Sequence, residues 1–459
     1  MATSSLSLKT SKQSNLAPSP SGRWLTGHLS ELKRDPIGLL LRARSAHGDV
    51  VRLKLWWVTA HLLAHPDHIQ HVLQKKQPQY DKDLEPLKRL KPILGNGMVT
   101  ADGESWRRQR EVARPAFHQN EVQSFGPTIT AFADELVHRW REAADQGRVL
   151  DMHHEMMQIT LRVAGKTLFG VDLKDDAADC SDVLNVTMAA GLKRMNALVA
   201  APLFLPTPNN RVLIRSRKAL KTMIDRIIER RREEGYDEED LLARLMADHD
   251  AERPANRSEQ FYDEAITLLL AGHETTANAL AFSLHVLGRH PAIVATLREE
   301  TRAVLAGQPA EIGDLPKLVY TRMALDEAMR LYPPAWIIDR NSTEDDEIDG
   351  YAIPKGGLIL LSPYVTHRHP AFWPDAERFD PLRFEKSKVA DRPRHAYFPF
   401  SIGPRVCIGM GFALTEAIMV LATLIDRFDV APVEGHVLRL DPNVTLRPKN
   451  GLPMTVRKA

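Results

Sequence analysis

The sequence predicts a mainly α-helical protein with minor β structure, built on one long central helix and a small β-sheet region joined from distant parts of the chain. Residues 259–289 carry the first sign: a stretch of helical period, apolar nearly all round, about 45 Å long at the α-helical rise. Such a helix crosses a core. The second sign is that β-type patterns are confined to residues 50–64 and 348–361, so strands far apart in sequence must meet. The third is a Pro/Gly-rich loop at 400–409 that runs straight into another apolar-periodic helix. No Gly/Ser linker or charge block divides the 459 residues. A flexible segment over 1–22 and a single domain over 23–459 are therefore expected.

Taken in order, the chain opens with a Ser/Thr/Lys-rich stretch that holds no apolar run long enough to span a membrane. A soluble, cytoplasmic monomer without a membrane anchor is the expectation. Pro36–Ala46 reads as an amphipathic helix, Val50–Leu55 and Ala60–Ala64 as paired strands, and Pro66 as the start of a further helix. Residues 81–99 mix apolar and basic side chains with two prolines and Gly95-Asn-Gly97, which predicts a loop with helical pieces. Helices over 182–196 and 211–232 flank an apolar hinge at 198–205. Positive and negative residues number 61 and 59, which gives no reason to expect nucleic acid as a partner. The only cysteines are Cys180 and Cys407. If one binds a metal no disulfide remains, as suits a reducing compartment.

Chemistry concentrates in Phe400-Ser-Ile-Gly403-Pro-Arg405-Val-Cys407-Ile-Gly409. Cys407 precedes the helical pattern of Phe412, Ala413, Ala417, Ile418 and Leu421, so it is placed at a helix N-terminus, where free N–H groups favour a thiolate. The glycines let a flat ligand approach, and Arg405 offers it a cation. A small buried core cysteine is the plain alternative, but thiolate, bare glycines and arginine together suit cysteine-held haem. Within the long helix, Ala271-Gly272-His273-Glu274-Thr275-Thr276 is a polar cluster in apolar surroundings. A Thr275 hydroxyl bonded back to the Ala271 carbonyl would bend the helix, making room for a diatomic molecule and a proton route. Ala277 fills the place where a zinc motif H-E-x-x-H needs its second histidine.

Other patterns are weaker. Trp106 and Arg110 share a helical face, as a solvated basic helix also would. Glu327-Ala-Met-Arg330 pairs an acid and a base amid apolar residues. His153-His154 point to different faces and are given no metal role, and His367-x-His369 reads as a surface turn.

These ten residues around Cys407 resemble the haem-binding signature of the cytochrome P-450 superfamily, F-x-x-G-x-R-x-C-x-G. The Ala271–Thr276 segment is similar to its A-G-x-E-T-T oxygen-activation motif, and Trp106/Arg110 and Glu327/Arg330 to its W-x-x-x-R and E-x-x-R motifs. The resemblance runs from about Leu16 to the end and implies the cytochrome P-450 fold, its long central helix over haem b. It implies Cys407 as axial iron ligand, Glu274 and Thr275 as the proton-delivering pair, and Ala271, Gly272 and Gly409 beside the haem. It further implies that Phe400 packs by the sulfur and that Trp106, Arg110, Arg340 and Arg405 fix the propionates. Arg378 would complete a structural cluster with Glu327 and Arg330, residues 81–99 would cover the substrate, and the two helices around 198–205 would form a mobile lid.

The implied activity is a haem-thiolate monooxygenase of the bacterial type, inserting one atom of O2 into a hydrophobic fatty acid, terpenoid or steroid. Ala335, Trp336 and Ile337 would face that substrate, and a basic residue among 82–91 could hold a substrate carboxylate at the entrance. No G-x-G-x-x-G fingerprint or iron–sulfur cysteine cluster is present, so electrons would come from a ferredoxin- or flavodoxin-type partner with its reductase. A peroxygenase or a hydroperoxide isomerase or dehydratase is the enzymatic alternative, and a haem gas sensor the non-enzymatic one. An intact Glu274-Thr275 pair favours the monooxygenase.

Overall fold

The computed structural model describes residues 15–174, 177–195, 197, 200–234, 240–250 and 259–459. Residues 15–20 belong to the folded body, although they fall in the stretch expected to be flexible. Ala17 is buried, the Asn15 and Pro18 carbonyls accept from the Ala352 and Arg52 N–H groups at 2.9 and 2.8 Å, and Pro20 O meets His28 Nε2 at 3.1 Å.

Strands β1 (Val50–Leu55), β2 (Val58–Leu63), β3 (Tyr80–Asp81), β4 (Ile338–Ser342) and β5 (Leu358–Leu361) form one sheet in the order β1-β2-β5-β4-β3. The joining of distant segments is as expected. β2 runs parallel to β5 with Ala60 opposite Leu358, and every other pair is antiparallel. Asp346–Ile348 and Tyr351–Ile353 form a hairpin of their own rather than entering this sheet. A second hairpin, β6 (Leu440–Pro442) and β7 (Leu446–Pro448), returns in the site below.

The helical layer is built from α1 (Gly103–Ala113), α2 (Met152–Phe169), α3 (Ala177–Met195), α4 (Pro208–Glu234), α5 (Glu259–Leu287), α6 (Val319–Leu331) and α7 (Met410–Arg427). Helix α5 packs along α2, with α6 and α7 against its other sides. Being enclosed from several directions is why its sequence is apolar all round. No single helix among the described residues is long and apolar enough to cross a membrane.

Residues 85–94 form a ten-residue helix inside the stretch expected to be mostly loop. This helix is tied to the α3/α4 pair: Arg217 of α4 donates to Ile93 O at 2.8 Å, and Arg89 to Ala197 O. Leu198 and Val199 of the predicted hinge lie outside the described residues, as does the side chain of Cys180. His367 and His369 are not in a surface turn. Both are buried; His367 Nε2 accepts from the Phe398 N–H at 3.0 Å, and His369 meets Asp49 at 3.0 Å.

Candidate active site

Cys407 does not cap a helix. Helix α7 starts at Met410 with Gly409 as its N-cap, and the chain before it is a run of tight turns. Ser401 and Gly403 have φ of 62° and 71°, and a 3-10 turn follows over Gly403–Arg405. The Cys407 N–H closes this loop on Phe400 O at 2.9 Å, which places Phe400 beside the cysteine. At Gly403 a side chain is excluded, since a Cβ would lie 2.0 Å from Leu73 O. The glycine therefore serves loop packing, not ligand approach. Gly409 likewise faces Phe117, at 3.5 Å from a built Cβ, and gives its N–H to the sulfur.

The Cys407 sulfur lies deep in the chain yet keeps open surface, in a recess of about 570 Å³ lined with Trp106, Arg110, Arg114, Phe117 and Ile408. Burial pushes its thiol pKa up, opposed by the Gly409 N–H and the Arg110 charge. Arg110 braces the loop directly, donating to Val406 O at 2.9 Å. Its guanidinium stands 5.8 Å from the Trp106 ring centroid, and that of Arg405 only 4.2 Å away.

Arg405 ion-pairs with Asp102 and donates to Ala101 O at 3.1 Å. Near it lie Arg340 and Lys82, which crowd each other electrostatically. Burial first, then Arg405, pushes the Arg340 pKa down to about 10, and its Nε has no hydrogen-bond partner. The Lys82 ammonium is pushed down to about 7 by burial, Arg340 and Arg405, while it donates to Val99 O at 2.6 Å. Asp102 and Asp339 are the nearby acids, and burial raises the Asp339 carboxyl. Three cations with an orphaned guanidinium nitrogen form a cradle for an anionic group. Sequence reasoning set Lys82 at a substrate entrance; the structure groups it with this cradle.

Helix α5 supplies the other wall. Between Phe261 and Leu287 nearly every residue is buried, and the open ones in mid-helix are Ala271, Gly272 and Thr275. These lie at i, i+1 and i+4 and make a strip with open surface, although a side chain at Gly272 would face Leu168 and Ala164 of α2 at 3.7 and 3.8 Å. Thr275 Oγ1 donates to Ala271 O at 2.9 Å as predicted. Glu274 points elsewhere: its Oε1 accepts from Thr445 Oγ1, with Arg447 at 3.9 Å.

Trp336 is likewise turned from open space. It is buried, with Nε1 donating to Asn443 O at 2.8 Å, while Ala335 and Ile337 keep some surface.

The Glu327/Arg330 pair is fully buried, with contacts of 2.6 and 2.8 Å. Arg330 also donates to His367 O and Ala376 O at 3.0 and 2.7 Å. Arg378 is not the third member of this cluster, because its side chain is 70% exposed. That place belongs to Arg383, whose Nε is 3.3 Å from Glu327 Oε1. Two candidate arginines stand five residues apart, and only the turn after Pro381 decides which one folds inward.

A deep thiol in a tight loop, a cluster of cations able to take an anionic group and a long helix with one open strip are the parts the fold provides. Comparison with known proteins makes this specific. The cytochrome P450 family model matches residues 17–454. Cyclooctatin synthase of Streptomyces melanosporofaciens is 35% identical over 93% of this chain and 92% of its own. Cyclooctat-9-en-7-ol 5-monooxygenase of the same organism is 35% identical over 90% and 89%, and pentalenene oxygenase of Streptomyces avermitilis 33% over 92% and 91%. The chain belongs to the cytochrome P450 family, as a P450 monooxygenase. Membership implies a haem cofactor, and the orphaned Arg340 nitrogen, the open sulfur and the open strip of α5 fit one.

Proposed function

We propose that this protein inserts one oxygen atom from O2 into a cyclic terpenoid, with haem b ligated by Cys407. The observation that carries this reading is the open strip of Ala271, Gly272 and Thr275 on a helix otherwise sealed in the core. When bound, the haem activates O2 with two electrons and two protons, one atom going to the substrate and one to water. Cys407 holds the iron as thiolate, and the Gly409 N–H and Arg110 favour that charged form. Trp106, Arg110, Arg340, Arg405 and Lys82 hold the two haem carboxylates. Thr275, able to exchange its bond to the Ala271 carbonyl for one to water in the cavity, places a proton at the reacting oxygen.

Substrate is gripped by burial, worth roughly 25 cal/mol per Å² of apolar surface. The terpenoid class rests on the three relatives' names. Electrons come from a separate acidic ferredoxin- or flavodoxin-type donor with its reductase. Arg107 and Arg114 are exposed on α1 and the residue following it, at the rim of the Cys407 recess, and suit such a donor.

The test is a spin-state titration with pentalenene, cyclooctat-9-en-7-ol, fatty acids and steroids, followed by turnover. Shifts with the terpenes and product formed only with a reduced donor are expected. Shifts confined to fatty acids or steroids would reassign the substrate, and turnover with peroxide alone would make the protein a peroxygenase.

A further inference from the structure

Glu274 is the acid that the resemblance pairs with Thr275 for proton delivery, yet its carboxylate is turned from the open strip that Thr275 faces. It is held from outside the helix. Thr445, in the turn between β6 and β7, donates its hydroxyl to Glu274 Oε1. The same hydroxyl accepts from Asn278 Nδ2 at 3.4 Å, one helical turn beyond Glu274, and Asn278 Oδ1 meets His153 Nε2 of α2 at 3.1 Å. Arg447 stands 3.9 Å from Glu274 Oε1 and 3.7 Å from Asp441, so its charge is shared between two acids. Thr445 and Glu274 are both buried, and a buried carboxyl group left without hydrogen-bond partners is costly.

The 442–446 turn is itself fixed to the loop after α6. Asn443 O accepts from Trp336 Nε1 at 2.8 Å, and the Leu446 N–H donates to Pro334 O at 2.8 Å. Ala335 and Ile337, which keep some open surface and which the resemblance sets toward the substrate, belong to that loop. One short turn thus touches the proton-delivery residue at one end and the substrate-side loop at the other.

We propose that Thr445 is the positioning residue of Glu274: it parks the carboxylate away from the cavity, and the turn that carries it makes that parking depend on what fills the substrate side. This rests on the monooxygenase reading above. Parking keeps the acid from delivering protons before substrate is bound, when oxygen reduction would yield only peroxide. Substrate pressing on the 334–337 loop shifts the turn, loosens Thr445, and frees Glu274 to swing toward Thr275.

The experiment compares Thr445→Val, Thr445→Ser and Glu274→Gln singly, and Thr445→Val in the Glu274→Gln background. Turnover uses the terpene giving the largest spin-state shift in the panel above. Thr445→Val is expected to raise substrate-free peroxide formation about tenfold, Thr445→Ser to restore the parent value, and Thr445→Val to add nothing once Glu274 is Gln. The readout independent of turnover is the infrared carboxylate band assigned by the Glu274→Gln difference in the resting, substrate-free holoprotein. That band should move in Thr445→Val and not in Thr445→Ser.

Additive effects of the two substitutions, or an unmoved band, would overturn the proposal. If no terpene shifts the spin state while the band still moves, it is the substrate reading that fails. Should Thr445→Val fold poorly, Asn443→Gly and Trp336→Phe, which loosen the same turn, are expected to raise substrate-free peroxide as well, and parent values in both would refute the coupling.

Discussion

Thr275 is the side chain on which productive chemistry most depends, because it alone brings a hydroxyl to the open strip of α5. Thr275→Ala should leave haem binding intact while product per electron pair falls roughly tenfold or more and peroxide rises. Oxygen electrode and product assays measure both. Unchanged coupling would leave Thr275 a helix-bending residue only. The two arginines near Glu327 give a sharper contrast. Arg383→Met should cost about 3 kcal/mol, since it strips a partner from a fully buried carboxylate, whereas Arg378→Ala should stay within about 0.5 kcal/mol. Denaturant unfolding tells them apart, and equal losses would contradict the cluster as drawn.

Two buried histidines are among the groups that limit stability in acid. Burial lowers His61 and His285 from 6.5 to about 4. An unfolded chain therefore binds protons at these sites before the folded one does. Stability they contribute is fully present above pH about 6.5 and is lost as pH falls toward 4, on the order of 3 kcal/mol for each. His61→Leu should flatten the fall of unfolding free energy over that window. A slope identical to the parent's would exclude His61 as a source.

At the scale of elements, the α3/α4 pair is latched to the core by Arg217. It meets Asp263 at 2.6 Å and Glu259 at 2.9 Å on α5, as well as Ile93 O on the helix at 85–94. If the α3/α4 pair opens as the lid that the resemblance implies, these contacts must break together. Arg217→Met should speed both association and release of substrate, by about tenfold if some 1.4 kcal/mol of latch is removed. Stopped-flow spin-state traces report both rates, and unchanged rates would mean the lid moves without this latch.

Elements were legible where one physical signal governed them. α5 was placed to within two residues because it is buried on every side, and β1 was placed end to end because it alternates inside a hairpin. The start of α7 was not. Helical period and N-terminal position suggested that Cys407 caps it, but positive φ at Ser401 and Gly403 keeps the chain in turns until Gly409. Within 81–99, read as a loop with helical pieces, the helix at 85–94 was not given its bounds because Pro86 and Pro92 read as breakers, although Pro86 sits in its first turn, where its missing N–H costs nothing.

For the molecule as a whole, local motifs named the parts of the site, and the three-dimensional chain decided which parts face one another. Cys407, Ala271 and Thr275 could be read from sequence because each is written within ten residues. Lys82 could not be assigned to the cationic cradle, nor Thr445 to Glu274, since each pairing spans more than a hundred residues and leaves no periodic trace. The direction of the Glu274 carboxylate belongs to the same class. It depends on a hairpin near the C-terminal end meeting the middle of α5.

The central claim is that the open sulfur of Cys407 ligates haem iron as a thiolate. Reducing the purified holoprotein under carbon monoxide and recording its Soret band tests this directly. The strongly red-shifted band of a thiolate-ligated haem is expected in the parent and absent from Cys407→Ser. A parent band at the position of histidine-ligated haem, or a red-shifted band that survives Cys407→Ser, would contradict it.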